Sequence, residues 1–396
     1  MNEGDDKQSA EMLLENAARE LADIHRAKDY GFWRSDTAPR LGRELGKLPP
    51  FAPFLDTWVH TGDGGYVLST TPFGEWAIDR LVEHKSVSEI FALLEAEASQ
   101  NVGLYSDVSP LLGVKIDERC DLGEGGVIEP EPEDFFERFL HRPQIASMQV
   151  PARAVMLVQD YSVTPAFEHR LAEDRFCPGS SITSPPASLR QTARRQVRLA
   201  CLLAGAGAVE LPITILRPKR DALFVAGAGN ESGRPFDAVP FTSHTVQAAT
   251  LKQAYQDIAA FSEPDSLSRA IDRLGRSRLA ISPVDRALEL GIAAEIALMH
   301  GQVEGNAEIT HKIGTRAAWL LGTDPGERES IFIDMKKLYA ARSQAVHSGV
   351  LTSSRATLDL DAADALVTRV LLAILRLGHF PDWTKLAMGG GPQMSS

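Results

Sequence analysis

The feature of the sequence that most restricts its fold is a run of amphipathic segments spanning residues 244–378. Six segments repeat apolar residues at three- and four-residue steps, and short breaks with capping residues separate them. Ser282 opens one segment, and Asp361 and Gly378 bound the last. Because each segment has one apolar face to bury, the pattern predicts an all-helical bundle.

The residues before this run mix helical and strand patterns. Residues 8–28 have helical spacing, and residues 75–99 are typical of one or two helices. Strand-like runs concentrate between residues 134 and 245, while the acidic, Gly- and Pro-containing stretch 117–133 predicts an exposed loop or linker. The predicted fold class is therefore α+β, with a mixed α/β N-terminal region followed by an all-helical bundle.

These shifts in pattern divide the chain into four predicted units. They are an N-terminal mixed region of unknown family (1–133), an α/β region of unknown family (134–245), the helical bundle (246–380) and a disordered tail (381–396). A chain of 396 residues that is 44% hydrophobic can bury a core of this extent.

Composition excludes several classes of protein. No apolar run approaches the ~20 residues that a membrane span requires, and the N-terminus lacks the pattern of a signal peptide. The three cysteines are widely spaced and have no paired metal-binding partners, which argues against a disulfide framework and a zinc site. We therefore expect a cytoplasmic protein with no cofactor, no metal site and no membrane contact.

Charge is distributed unevenly along the chain. The net charge is −12, but from Val246 onward 16 basic residues stand against 17 acidic ones, a net of −1. The preceding residues carry 25 basic and 36 acidic residues, a net of −11. If the chain contacts nucleic acid, this distribution favours contact through the C-terminal bundle.

A second basic feature lies before the bundle. Residues 189–205 have the spacing of an amphipathic helix that carries four arginines, Arg190, Arg194, Arg195 and Arg198. The arginines are consistent with a solvated helix face or with a patch that contacts RNA.

Arg342 interrupts the buried face of the fifth helical segment. Ile331, Met335, Leu338 and Ala345 occupy the apolar stripe of that segment, and Arg342 falls on the same stripe. A guanidinium does not lose its charge in a protein, so its position on this stripe requires a partner or a function.

His347 follows five residues after Arg342, in the last turn before Gly349. Five residues advance a helix by about 500°, so the two side chains point about 140° apart and suit a site that a neighbour completes. The dipole at the helix C-terminus favours the imidazolium form of His347, which suits a proton-transfer group.

The ordered set of residues in the bundle resembles the HEPN superfamily, the helical nucleotide-binding domains whose hallmark is Arg-x4-6-His on a late helix. The resemblance is closest to the Apea-like branch and covers about residues 246–380. It rests on Asp285-Arg286, Glu295, Arg316, Arg328 and Tyr339-x2-Arg342-Ser343-x3-His347-x-Gly349.

The resemblance implies a metal-independent RNA endonuclease that acts as a homodimer in defence, including antiviral defence, or in stress response. Arg342 and His347 would be catalytic, Ser343, Glu295 and Tyr339 would support them, and the product would be a 2′,3′-cyclic phosphate. Ser343 departs from the commonest catalytic variant, which has Asn, Asp or His at this place.

Other interpretations of the same residues remain open. The bundle could be a non-catalytic module for dimerisation or for binding nucleotide or RNA, with an N-terminal region that recognises an unknown protein or ligand. Arg342 could serve packing alone by pairing with Glu295, and Tyr339 could be a core residue. The remaining candidates have structural interpretations, as solvated or structural histidines (His300, His311) or as members of internal ion pairs (Asp285, Arg316).

Overall fold

The computed structural model describes most of the chain. The described residues are 9, 11–20, 30–48, 51, 54, 57–62, 64–68, 70–83, 85–130, 155–169, 182–218, 230–231, 242–301, 308–351 and 358–390.

Helices form the larger part of these residues. They are α1 (residues 11–20), α2 (Tyr30–Leu45), α3 (Thr70–Val82), α4 (Val87–Gln100), α5 (Ala187–Leu203), α6 (Ala248–Ala260), α7 (Pro264–Leu279), α8 (Pro283–Leu298), α9 (Ile309–Leu321), α10 (Pro325–Ser348), α11 (Leu360–Leu377) and α12 (Trp383–Ala387). The six helices predicted between residues 244 and 378 are all present, as α6 to α11, and the fold class is mixed α+β with a helical C-terminal region.

The strands lie before the bundle. They are β1 (Thr57–His60), β2 (Gly65–Val67), β3 (Gly103–Leu111), β4 (Val114–Ile116), β5 (Cys120–Asp121), β6 (Val127–Pro130), β7 (Val155–Val163), β8 (Phe167–His169), β9 (Thr214–Pro218), β10 (Asn230–Glu231) and β11 (His244–Val246). They build three sheets, with strand orders β2-β1-β8, β10-β9-β3-β7-β6-β5 and β11-β4.

The longest strand pairing of the six-stranded sheet joins β3 to β7. Nine antiparallel pairs run from Gly103 opposite Val163 to Leu111 opposite Val155. Strand β6 pairs with the other side of β7. The sequence ranges 1–133 and 134–245 therefore contribute strands to the same sheet.

The prediction of an exposed linker over residues 117–133 is wrong for residues 120–130. This stretch forms β5, β6 and a single 3-10 turn at the edge of the six-stranded sheet. Cys120 and Ile128 are buried there. Glycine and acidic residues suggest a linker by composition, but here Gly126 adopts a φ of 100° that reverses the chain between two strands.

One hydrophobic core joins the helical bundle to the sheet. It contains buried residues of β5 and β6, most of the apolar face of α5, and the inner faces of α6 to α12. Arg278 of α7 fixes this junction, because its guanidinium donates to the carbonyl oxygens of Leu202 and Ala206 at 2.8 and 2.7 Å and to Asp364 at 2.7 Å. The bundle and α5 thus pack as one body around this arginine.

A second core lies among the N-terminal helices. Phe51 and Phe54 contact Phe73, and Phe54 also packs against Phe167 of β8. These rings meet edge-on or tilted, the geometries that aromatic pairs favour.

The ends of the bundle helices confirm two of the predicted capping residues and revise a third. The Ser282 hydroxyl accepts from the Val284 amide at the start of α8, and Gly378 ends α11 with a φ of 73°. Asp359, rather than Asp361, caps α11, because its carboxylate accepts from the amides of residues 361 and 362.

The predicted disordered tail is wrong for residues 381–390. Trp383 and Leu386 of α12 are buried in the main core, and Asp382 caps that helix. Burying these two apolar side chains stabilises the turn that follows α11. Residues 391–396 lie outside the described part of the chain.

Within the described ranges, no helix combines the length and the apolar character that a membrane span requires. The two described cysteines, Cys120 and Cys201, are free and buried. Burial raises the pKa of Cys201 to about 12, which keeps its thiol protonated at neutral pH.

Candidate active site

Helix α10 carries the Arg-x4-His motif, and two carboxylates, those of Asp324 and Glu327, accept hydrogen bonds at its N-terminal end. The Asp324 carboxylate accepts from the amides of Gly326 and Glu327 at 2.8 and 3.0 Å. The Glu327 carboxylate in turn accepts from the amide and hydroxyl of Thr323, which lowers its pKa. The helix ends at Gly349, whose φ is 66°.

The apolar stripe of α10 is buried as predicted. Ile331, Met335, Leu338 and Ala345 all face the core. Arg342 lies at the edge of this stripe with 25% of its side chain exposed, so the guanidinium reaches the boundary between core and solvent.

The partner of Arg342 is Glu295 of α8. Nη2 of Arg342 lies 3.0 Å from Oε2 of Glu295, and 31% of the glutamate side chain is exposed. The pairing that the sequence suggested is therefore present. Both groups retain contact with water, so removing one partner of this ion pair costs less stability than it would at a buried pair.

Helices α8 and α10 approach closely at this pair because of Gly291. A Cβ added at Gly291 would lie 2.4 Å from Cβ and 2.5 Å from Cγ of Arg342. Only glycine leaves room for the arginine stem at this crossing. Gly291 and Glu295 are one turn apart on α8. The glycine therefore leaves space for the aliphatic part of the Arg342 side chain, while the glutamate pairs with its guanidinium.

Tyr339 completes a cluster of three around Glu295. Its hydroxyl donates to Oε2 of Glu295 at 3.4 Å, and the guanidinium carbon of Arg342 lies 5.4 Å from the centre of its ring. Burial, followed by the negative charge of Glu295, raises the pKa of Tyr339, while Arg342 acts in the opposite direction. Tyr339 is 8% exposed, so it belongs to the core as well as to the cluster.

The guanidinium of Arg342 keeps hydrogen-bonding capacity beyond Glu295. Its Nε atom is buried and has no hydrogen-bond partner among the described residues. Because a quarter of the Arg342 side chain is exposed, an incoming phosphate or carboxylate would bind the guanidinium through its solvent-facing atoms rather than through the buried Nε.

His347 and Ser343 lie on the outer side of α10. His347 is exposed in the last turn, and Ser343 is partly exposed. Within the described part of the chain, His347 makes no hydrogen bond or ion pair, and the structure does not bring it into contact with Arg342 within one chain. The helical offset of about 140° between the two accounts for this separation.

Three of the four remaining sequence candidates, His300, Arg316 and His311, have structural contacts. His300 pairs with Glu263 and stacks on Phe380, with ring centres 3.9 Å apart. Arg316 donates to the carbonyl oxygen of Leu298 at 2.6 Å. Asp285 is exposed and forms no ion pair with the described residues, and His311 meets the Phe332 ring edge-on.

Three of the four arginines of α5 form neither of the predicted surfaces, because internal ion pairs hold them. Arg190 and Arg194 converge on Oδ2 of Asp107 at 2.7 and 3.1 Å, and Asp107 is almost fully buried. Arg198 pairs with Asp272 and Glu210 at 2.8 and 3.1 Å. Arg195, which also pairs with Asp272, is the most exposed member, at 49%. These arginines tie α5 to the sheet and to α7.

The described residues contain no group of three or more His, Cys, Asp or Glu side chains placed to hold a metal ion. Comparison of the chain with protein-family models, with curated proteins and with solved structures finds no match.

Proposed function

We propose that this protein is a metal-independent RNA endonuclease of the HEPN type, with Arg342 and His347 as its catalytic residues. The observation that carries the proposal is the state of Arg342, which Glu295 and Gly291 hold in place while part of its guanidinium stays unpaired. By contrast, Nε, Nη1 and Nη2 of Arg278 all donate hydrogen bonds within the fold.

The residue types support a defined reaction. His347 takes the proton of a ribose 2′-hydroxyl, the 2′-oxygen attacks the adjacent phosphorus, and the bond from phosphorus to the 5′-oxygen breaks. Arg342 stabilises the negative charge that develops on the phosphorane oxygens. The 5′-oxygen leaves with a proton from His347 of the partner subunit, and the products are a 2′,3′-cyclic phosphate and a 5′-hydroxyl.

A homodimer would bring together the two motif residues that point apart in one chain. Arg342 and His347 point apart in one chain, so a two-fold arrangement of α10 with its copy would place both motifs along one groove. Val346 and Val350, which flank His347, are 53% and 55% exposed. Exposed valines beside the motif are suited to such a contact.

The second candidate is a non-catalytic module that dimerises or binds nucleotide or RNA. His347 has no hydrogen-bond partner among the described residues, and this observation favours the non-catalytic module. A catalytic imidazole is usually oriented by a hydrogen bond to its second nitrogen. The N-terminal region would then recognise a partner. A cytoplasmic location and a role in antiviral defence or stress response belong to the proposal for either function.

The test is cleavage of single-stranded RNA and of transfer RNA by the purified chain with EDTA present. Cleavage that leaves 5′-hydroxyl and 2′,3′-cyclic phosphate ends supports the nuclease. RNA binding without any cleavage would favour the module, and cleavage that EDTA abolishes would contradict the metal-independent mechanism.

A further inference from the structure

A second surface feature lies on α10, towards its N-terminal end and away from the motif. An open groove of about 400 Å³ runs between α9 and α10, and its lining includes Trp319, Arg328 and Phe332. Its volume is within the range of small-ligand pockets. Both aromatic rings are only partly buried.

Two glycines of this region allow the close contacts that shape the groove. A Cβ added at Gly314 would lie 2.7 Å from the Phe332 ring, so the glycine provides the space in which that ring rests against α9. A Cβ at Gly322 would lie 2.5 Å from Cγ of Arg328. Ordinary side chains at these positions would displace the ring and the arginine.

Cationic groups accompany both rings. The guanidinium carbon of Arg328 lies 4.0 Å from the centre of the Trp319 ring, and Nε donates to the carbonyl oxygen of Gly322 at 3.1 Å. Nζ of the exposed Lys336 lies 5.2 Å from the Phe332 ring. Among the residues that line the groove, the charges of Arg328 and Glu329 offset each other, and Lys336 beside the lining adds one positive charge.

The groove shares one side of α10 with two residues of the motif region, Ser343 and His347. Phe332, Lys336, Ser343 and His347 follow one another at steps of four, seven and four residues, which keeps them within about 60° around the helix. Phe332 and Ser343 are about 16 Å apart along the axis, since each residue rises about 1.5 Å. A few nucleotides of extended RNA span this distance.

We propose that the groove is a subsite for an unpaired base of single-stranded RNA whose backbone follows α10 towards His347. The inference rests on the proposed RNA-directed function of the motif. The exposed parts of Phe332 and Trp319 supply apolar surface for a base, and the Arg328 guanidinium over the Trp319 ring supplies a planar cation on which a base can stack. Lys336 supplies a charge for the adjoining phosphate. A base in this groove would set the register of the strand, so the site selects unpaired RNA over duplex RNA, whose bases are stacked inside the helix.

The experiment measures binding of a fluorescent single-stranded 2′-O-methyl RNA 12-mer to the full-length protein by anisotropy. This probe lacks the free 2′-hydroxyl that cleavage requires, so binding is read independently of catalysis. Phe332→Ala is expected to weaken binding at least about fivefold, the loss typical of one stacked base. Ile333→Ala, at the exposed neighbouring position, is the matched control and should bind as the wild type does.

A second pair of variants cannot fail through misfolding, because both residues are exposed. Lys336→Ala should reduce the slope of log affinity against log salt concentration by about 0.7, the value for one phosphate of a single strand. Lys337→Ala, which pairs with Asp334 and points away from the groove, should leave the slope unchanged.

Unchanged affinity in Phe332→Ala together with an unchanged slope in Lys336→Ala would overturn the subsite, whether or not the protein cleaves RNA. Binding that depends on Phe332 and Lys336 in a protein that cleaves nothing would support the subsite and contradict the nuclease. No binding of the probe by the wild type would overturn the subsite, while cleavage of unmodified RNA would still support the nuclease.

Discussion

Arg342 and Glu295 form an ion pair between α10 and α8, with 3.0 Å between Nη2 and Oε2, and neither partner is fully buried. A pair at the boundary of the core can open to a ligand at less cost than a buried pair, because water already reaches both groups. Glu295 thereby positions the guanidinium without consuming all of its donors.

The titration of Tyr339 tests this cluster directly. Its pKa is raised above 10.0 by burial and then by Glu295. The neutral phenol therefore stabilises the fold below about pH 10, and that stability is lost as the pH rises through the raised pKa. The difference in tyrosinate absorbance between the wild type and Tyr339→Phe, followed as the pH is raised, measures the pKa of Tyr339.

Two variants give opposite shifts in the same titration. Glu295→Gln removes a negative charge and should lower the pKa of Tyr339, whereas Arg342→Ala removes a positive charge and should raise it further. A pKa that responds to neither change would show that the three side chains do not interact in solution.

Gly291→Ala tests the close approach of α8 and α10. The added methyl would meet the stem of Arg342 at 2.4 Å, so we expect a loss of about 1–3 kcal/mol in the free energy of unfolding and a marked loss of cleavage. Gly64→Ala is the control, because its methyl would meet only Thr61 Oγ1 at 3.9 Å. Chemical denaturation measures both; equal stability of Gly291→Ala and the wild type would contradict the contact.

Arg278 serves stability rather than chemistry. It is 13% exposed, and four different residues of α5, of the turn after α5 and of α11 accept from it. Arg278→Ala is expected to cost about 3 kcal/mol, as breaking a buried charged pair does. Arg276→Ala, on the exposed side of α7, should stay within about 0.5 kcal/mol of the wild type. A small effect at Arg278 would show that α5 and the bundle are held by apolar contact alone.

The exposed valines beside the motif test the proposed dimer. Val346→Glu should shift the protein from dimer to monomer in light scattering and reduce cleavage together with assembly, because a charge would be buried at the contact. Ile333→Glu, also exposed on α10 but on another side, should do neither. A wild type that is monomeric at micromolar concentration would contradict the dimer itself.

The helices of the bundle could be predicted from the sequence because their signal is local. Periodic apolar residues and capping side chains lie within each segment, and the pairing of Arg342 with Glu295 needed only the assumption that neighbouring helices pack together. The packing of Gly291 against Arg342 was not predicted, since a lone glycine in a helix gives no indication of what lies against it.

The other features that the sequence did not predict depend on contacts between residues distant in the chain. Residues 120–130 join the sheet through β7, whose paired residues lie 25 or more positions later in the chain. Arg190 is buried by pairing with Asp107, which precedes it by 83 residues. Trp319 and Phe332 sit at positions that a helical pattern assigns to the core, so only the packing of α9 on α10 indicates that their rings border a groove.

The central claim is that Arg342 and His347 carry RNA cleavage, and its most direct test is the cleavage rate of two variants measured beside their melting temperatures. His347→Ala and Arg342→Ala should each lower the rate constant for cleavage of single-stranded RNA, with EDTA present, by at least about 100-fold. His347 is exposed and Arg342 partly so, and we therefore expect little change in the melting temperature of His347→Ala and a modest decrease for Arg342→Ala. Full activity in His347→Ala at an unchanged melting temperature would contradict the account.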